Sequence, residues 1–253
     1  MADRMNGSNI LPAVDPSHPK YPKLYKPFAL PEYWYYQIYG KNFFDYAGGA
    51  IEAETNAYLF ALGMTFQGWK LPQIAAILGN LCRESTLNPA VWEHKGEQPY
   101  APVPASDWES KSGHGFGFVQ WTPARKFIVW AEQVFGNNGA VSADIPCWYN
   151  GTVQIAFMQR ELQTDYQWGP GSNTPPPLRF KTELDFYHYN AKESEVETLA
   201  WCWVYYYERP ADIAGTIPGR QKWARYWYNK LKGVRLRRPP IWLIAKAAGN
   251  WRG

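Results

Sequence analysis

The stretch Gly79-Asn80-Leu81-Cys82-Arg83-Glu84-Ser85-Thr86-Leu87-Asn88 places one carboxylate where an apolar helical stripe gives way to loop. Upstream, Ile74, Ile77, Leu78 and Leu81 recur at the spacing of one helix face. Glu84 falls three residues after Leu81 and so extends the buried stripe. A carboxyl so placed is half desolvated. Desolvation disfavours the charged form and raises the pKa, which keeps a glutamic acid protonated near neutral pH and able to hand a proton to a leaving oxygen. This residue in this setting points to glycosidase chemistry, with Glu84 as general acid.

Outward from that helix, Tyr58, Leu62, Phe66 and Trp69 predict a first amphipathic helix over Glu52 to Lys70, closed by Leu71-Pro72. Pro72 then suits the first turn of the helix bearing Glu84, and Asn88-Pro89 ends that helix because a residue before proline is pushed out of the helical region. Ala90 to Gln120 is rich in Gly, Pro, Ser and Trp without a helical period, and predicts a loop or small hairpin region facing the glutamate. Thr122-Pro123 restarts a helix through about Phe135, with Thr as cap and Pro in the first turn, and another helix follows from about Thr152 to Trp168. Residues 169–177 read as a surface connection, after which helical patterns resume at Lys181. Ser194 and Glu197 have capping-box spacing ahead of a face made by Val196, Leu199, Trp203 and Tyr206, and that helix stops at Glu208-Arg209-Pro210. A last helix spans about Gly219 to Lys232.

A chain of 253 residues holds one globular domain of about 150 to 200 residues with appendages. Residues 1–49, rich in Pro and Tyr and without periodicity, read as an extended arm lying along the core or against another subunit. The formal charge of +4 divides into +7 over residues 230–253 and −3 over residues 1–229, so residues 234–253 form a separate basic tail. Such a tail suits an anionic wall polymer, nucleic acid or an acidic partner surface, or simply solvent. Fourteen Trp, eighteen Tyr and twelve Phe suit stacking on sugar rings or partner subunits as well as filling a core.

No apolar run approaches the roughly 18 residues of a membrane span, and no basic start leads into an apolar core. The expectation is a chain made in a cytoplasm without a signal peptide. Cys82, Cys147 and Cys202 form an odd set without metal-type spacing and read as buried free thiols. The scattered histidines form no metal-binding pair, and a nucleophile-elbow serine and a phosphate loop are both missing. No metal or cofactor is expected, which leaves acid–base chemistry by carboxylates.

A second constellation runs from Gly115 to Arg125, GFGFVQWTPAR. Gly115 and Gly117 allow the backbone close to a ligand, Gln120 offers a donor and an acceptor to an acetamido group or sugar hydroxyl, and Trp121 can stack on a pyranose. The same residues also read as a tight hairpin whose aromatics pack inward.

Residues 78–89 (LGNLCRESTLNP), 115–127 (GFGFVQWTPARKF) and 207–211 (YERPA), followed by the helix containing Tyr226 to Leu231, resemble in order and spacing the phage tail lysozyme family, the peptidoglycan-cleaving module of tail-knob or tail-tip proteins of short-tailed phages. The likeness covers about residues 50–233. It implies an α+β, mostly helical, lysozyme-like catalytic domain, with a cleft between the Glu84 helix and the Gly115–Trp121 segment. Position by position, Glu84-Ser85 match the family's Glu-Ser acid motif and Gln120 and Trp121 its Gln-Trp-Thr motif. Tyr207 and Glu208 belong to its late Tyr-Glu-Arg-Pro motif, with Glu208 read as bracing the cleft. The substrate-binding set implied is Ser85, Gly117, Gln120, Trp121, Tyr207 and Glu208. The second carboxylate is sought among Glu93, Glu97, Asp107 and Glu109 of an insertion between Trp92 and His114, and Asp107 is favoured. A retaining enzyme needs it about 5 to 5.5 Å from the acid, an inverting one about 6.5 to 9.5 Å.

The resemblance further implies a virion-associated muramidase that opens the wall during genome entry. Its partners would be peptidoglycan glycan strands and other phage tail proteins, in an assembled or oligomeric state. Related tail-knob proteins can add a zinc endopeptidase, which residues 234–253 do not resemble. The rival readings are a structural tail-tip protein keeping the lysozyme fold for assembly or plugging, a lytic transglycosylase, and a free lysis enzyme.

Overall fold

The computed structural model describes residues 51–89, 91–93, 108–135, 147–164, 167–172, 174–210 and 214–234. The arm and nearly all of the basic tail lie outside the described residues, as do Glu97 and Asp107. Within them the chain is mostly helical: α1 (Ile51–Phe66), α2 (Leu71–Glu84), α3 (Trp108–Lys111), α4 (Arg125–Phe135), α5 (Gly151–Thr164), α6 (Glu183–His188), α7 (Val196–Trp203) and α8 (Ile217–Leu231). The β component shrinks, among the described residues, to isolated antiparallel bridges of Phe116 with Trp92 and with Trp121.

α2 is the central helix. Its residues from Gln73 to Cys82 are all buried, because it packs against α1, α7 and α8 at once and not along one stripe. Gly79 makes the α8 contact possible: a Cβ built there would stand 2.5 Å from the Arg220 carbonyl oxygen and 2.6 Å from the Ala224 nitrogen. Backbone-to-backbone approach of this kind requires a residue without a side chain. It brings the first turn of α8 beneath the last turn of α2, where Glu84 sits.

The helix ends by geometry that its sequence only half signals. Thr86 and Leu87 take φ of 55° and 62°, the Leu87 N–H bonds back to the Leu81 carbonyl at 3.3 Å, and the Ser85 N–H bonds to the same oxygen at 3.0 Å. Two adjacent non-glycine residues with positive φ are costly and persist only where the surroundings fix them. Leu87 is fully buried, and its carbonyl accepts from Asn56 Nδ2 of α1 at 2.8 Å.

Elsewhere the helix starts differ from the sequence reading. α4 begins at Arg125; Thr122 does not cap it but donates from Oγ1 to the Gln120 carbonyl at 3.0 Å, and the Thr122–Pro123 bond that follows is cis. The capping box is formed by Thr182 and Asp185 ahead of α6. α7 has Glu195 at its N-cap with no side-chain cap, so the Ser194–Glu197 box does not form. α7 then runs into a π-helical turn, Val204–Glu208, closed by the Arg209 N–H on the Val204 carbonyl at 2.8 Å. The three cysteines are buried free thiols, and burial pushes those of Cys147 and Cys202 up to about 12.

Candidate active-site cleft

The end of α2, the 91–93 and 115–122 segments, the 167–172 loop and the end of the π-helical turn surround an open cleft of about 670 Å³. That volume is within the range of small-ligand sites. Glu84, Ser85 and Thr86 form one part of its lining; Trp92, Glu93 and Gln120 form one wall; Gln167, Glu208 and Arg209 face them.

Glu84 is not left against an apolar surface as the stripe suggests. Its Oε1 forms an ion pair with Arg220 Nη2 at 2.5 Å, with the guanidinium side chain 4% exposed and the carboxylate 19%. Arg220 Nη1 also donates to Asn80 Oδ1 at 3.0 Å, while Asn80 Nδ2 donates to the carbonyls of Ala76 at 2.9 Å and Ala200 at 3.1 Å. The guanidinium is thus held between the Glu84 carboxylate and the buried Asn80 amide. A buried guanidinium needs such partners, since an uncompensated interior charge is strongly unfavourable.

The desolvated carboxyl of the cleft is Glu208. Burial, and next the charge on Glu84, push it well above the ordinary carboxylate range; Arg220 and the hydrogen bond from Trp203 pull it down without offsetting them. That bond runs from Trp203 Nε1 to Glu208 Oε1 at 3.0 Å. The π-helical turn aims the residue: one extra residue in the turn rotates Glu208 relative to a continuing α-helix, a device common at functional sites. Arg209 then reverses the chain in the left-handed region with φ of 48°.

The opposite wall is braced by Gln154 of α5. Its Oε1 accepts from the Phe118 N–H at 2.8 Å, and its Nε2 donates to the carbonyls of Pro89 at 2.6 Å and Trp148 at 3.0 Å. Gly117, with φ of 78°, lies so close that a Cβ would meet this amide at 2.7 Å. Gly117 therefore serves wall packing and does not itself line the cleft. Glu93 Oε2 accepts from the Gly115 N–H at 2.9 Å, which ties the two segments of the wall together.

Gln120 and its neighbour part company. Gln120 takes φ of 50° and lines the cleft; its Nε2 is committed to the carbonyls of Gly117 at 2.8 Å and Val91 at 3.2 Å, so its amide oxygen is what it offers a ligand. Trp121 turns into the core, 1% exposed, with its ring stacked on Phe127 at 4.7 Å. The expectation of a sugar-stacking Trp121 is thereby corrected, because the hairpin buries it. Tyr207 is also buried, and its hydroxyl donates to Glu161 Oε2, which Trp121 Nε1 reaches at 3.0 Å. Burial, opposed by the Lys126 ammonium 4.0 Å away, raises the Glu161 carboxyl. Lys126 in turn bonds Gln167, whose Nε2 donates to the Tyr207 carbonyl at 2.8 Å. These residues form a polar floor under the cleft.

Ser85 lines the cleft but bonds Oγ to the Leu81 carbonyl at 3.3 Å. Thr86 Oγ1 and Trp92 Nε1, on lining residues, are buried without a hydrogen-bond partner among the described residues. Of the candidates for the second carboxylate, Glu93 lines the cleft, Glu109 is exposed on α3 and does not, and Glu97 and Asp107 lie outside the described residues. Among the described residues no group of three His, Cys, Asp or Glu could hold a metal ion.

Sequence reading missed Arg220, Gln154 and Glu161. Each had a signal: Arg220 heads the α8 stripe of Ala224, Trp227 and Leu231, and Gln154 and Glu161 flank Phe157 and Met158 on the buried face of α5. A polar residue on an apolar stripe is a buried group in need of a partner.

A mostly helical domain with three glutamates lining an open polar cleft is consistent with a lysozyme-like fold. The chain is a member of the phage tail lysozyme family, whose sequence model matches residues 54–231. It is also similar to Morphogenesis protein 1 of Bacillus phage B103, at 28% identity over 189 residues, which cover 70% of this chain and 42% of that protein. The chain thus spans less than half the length of that curated relative.

Proposed function

We propose that this chain is a virion-associated peptidoglycan glycosidase of the lysozyme type, which locally opens the bacterial wall during phage genome entry. The observation that carries the reading is the juxtaposition, in one open cleft, of Glu84 ion-paired to Arg220 with the desolvated Glu208. Glycoside cleavage needs two carboxyl groups in different states, and environments that separate them are the mark of such a pair. The glycan strand lies along the cleft, with the Gln120 amide oxygen accepting from an acetamido N–H or hydroxyl and the two glutamates at the scissile bond. Family membership supports the substrate class. The name of the phage B103 relative favours a place in the particle, and so also supports a second reading: a tail protein that keeps the fold for assembly.

Mass spectrometry of peptidoglycan digested by the purified chain separates these readings. New reducing ends support hydrolysis, anhydro ends a transglycosylase, and an unchanged polymer the assembly role. Detection of the protein in purified particles tests its location.

A further inference from the structure

Among the described residues lining the cleft, the acidic side chains are Glu84, Glu93 and Glu208, and the cationic one is Arg209. Glu84 has its counter-charge in Arg220, and Glu93 stands 3.7 Å from His114 Nδ1 on the opposite wall. Arg209 has no such match. It is exposed, it forms no ion pair with a described residue, and none of its side-chain N–H groups donates to one. Even Glu208, its neighbour in the chain, is turned away from it, with Oε1 accepting from Trp203 Nε1 at 3.0 Å. The planar fork of donors is therefore left for the cleft.

The backbone aims this side chain under strain. Arg209 takes φ of 48° and ψ of 47°, in the left-handed region, and it precedes Pro210, where sterics favour extended backbone. A non-glycine residue persists there only where its surroundings fix it, and such strain gathers at functional sites. The Arg209 N–H closes the π-helical turn on the Val204 carbonyl at 2.8 Å, the Gly169 N–H bonds the Tyr206 carbonyl at 2.9 Å, and Gln167 Nε2 bonds the Tyr207 carbonyl at 2.8 Å. The 167–172 loop is thereby fastened to the turn. The guanidinium lies beside it, with Nη1 3.4 Å from where a Cβ on Gly169 would stand.

We propose that Arg209 is the specificity residue of this cleft and binds a carboxylate borne by the muramic acid of the glycan strand. The inference rests on the glycosidase reading and names the substituent that the cleft selects. That carboxylate is the lactyl group itself where muramic acid is bare, or one on the stem peptide where the lactyl group is amidated. A guanidinium meets either with two parallel N–H···O bonds, a geometry that an ammonium does not supply. Glu93 on the facing wall repels the same group, so attraction on one side and repulsion on the other fix which edge of the strand turns toward Arg209. A neutral chitin-type strand lacks the carboxylate and forgoes the contact.

Calorimetry on the full chain tests this with a thio-linked tetrasaccharide of alternating N-acetylglucosamine and N-acetylmuramic acid, which resists cleavage. It is used in three forms: free lactyl carboxylates, neutral lactyl methylamides, and lactyl groups bearing stem peptides. Wild-type protein should bind at least one charged form about tenfold more tightly than the methylamide, and the gap should narrow at high salt. The charged form that gains identifies the source of the carboxylate. Arg209→Gln should lose the preference while keeping its affinity for the methylamide, and Arg209→Lys should recover part of it. Equal wild-type affinities for the three forms, a preference that survives in Arg209→Gln, or a uniform weakening of all three in that variant overturns the assignment. Release of glycan ends from peptidoglycan reads the glycosidase separately. Cleavage without discrimination refutes the role of Arg209 alone, whereas discrimination without cleavage supports Arg209 as a binding residue while the glycosidase reading fails.

Discussion

Replacing Gly79 by alanine tests how the fold builds the site. In an isolated helix the change would stabilise by about 1 kcal/mol, since glycine is the poorer helix former. In this chain the added Cβ would lie 2.5 Å from the Arg220 oxygen, 2.6 Å from the Ala224 nitrogen and 2.8 Å from the Ala224 Cβ, where ordinary contact begins at 3.4 Å. Two of the three atoms are backbone, so no rotamer relieves the clash and α8 must retreat by about 1 Å, an overpacking strain worth about 1–3 kcal/mol or more. The retreat carries Arg220 away from Glu84, and a displacement of about 1 Å at a catalytic group can lower a rate about 10²-fold. Thermal unfolding should show a drop in Tm of about 2–4 °C per kcal/mol for a domain of this size. Peptidoglycan turbidity assays below the new Tm should show reduced kcat. A Gly79→Ala protein as stable as wild type and equally active would refute both the packing argument and the link from packing to the ion pair.

Gln154→Leu removes three buried hydrogen bonds and orphans the Phe118 N–H, a loss of about 3–5 kcal/mol to be read from urea unfolding, and a change below about 1 kcal/mol would show that the wall does not depend on this amide. Gln120→Ala should weaken glycan binding by calorimetry with little change in Tm. Trp121→Ala should cost about 3–5 kcal/mol of stability, and equal effects from the two variants would contradict their opposite placement. Because burial raises the Glu161 carboxyl above 4.5 in the folded chain, the folded state binds the proton more tightly. Its stabilising contribution is then complete below about 4.5 and lost as pH rises through the raised value. Glu161→Gln should therefore gain stability relative to wild type as pH rises from about 5 to 8, and a difference independent of pH would contradict the raised value.

The parts of the fold legible in the sequence are those written in local pattern. The α2 stripe ending at Glu84, the proline boundaries around it and the later helices needed only spacing and turn chemistry. What was not legible depends on partners far along the chain. Glu84 meets Arg220 across 136 residues, and the charge that stripe spacing suggested would be desolvated is instead covered. Gln120 and Trp121 are adjacent in a motif whose residue types suit sugar binding equally well. Only the positive φ at Gln120 separates a cleft side chain from a core one. The stop at Glu208-Arg209-Pro210 is legible, but the π-helical turn that ends there and sets Glu208 in the cleft lining has no signal in local spacing.

The most direct measurement of the central claim is muropeptide mass spectrometry on peptidoglycan treated with the wild-type chain and with Glu84→Gln, both shown folded by their unfolding curves. Cleavage at the cleft predicts new glycan ends from the wild type and a loss of about 10²-fold or more in the variant. Equal release by the two proteins, or none by the wild type, would contradict it.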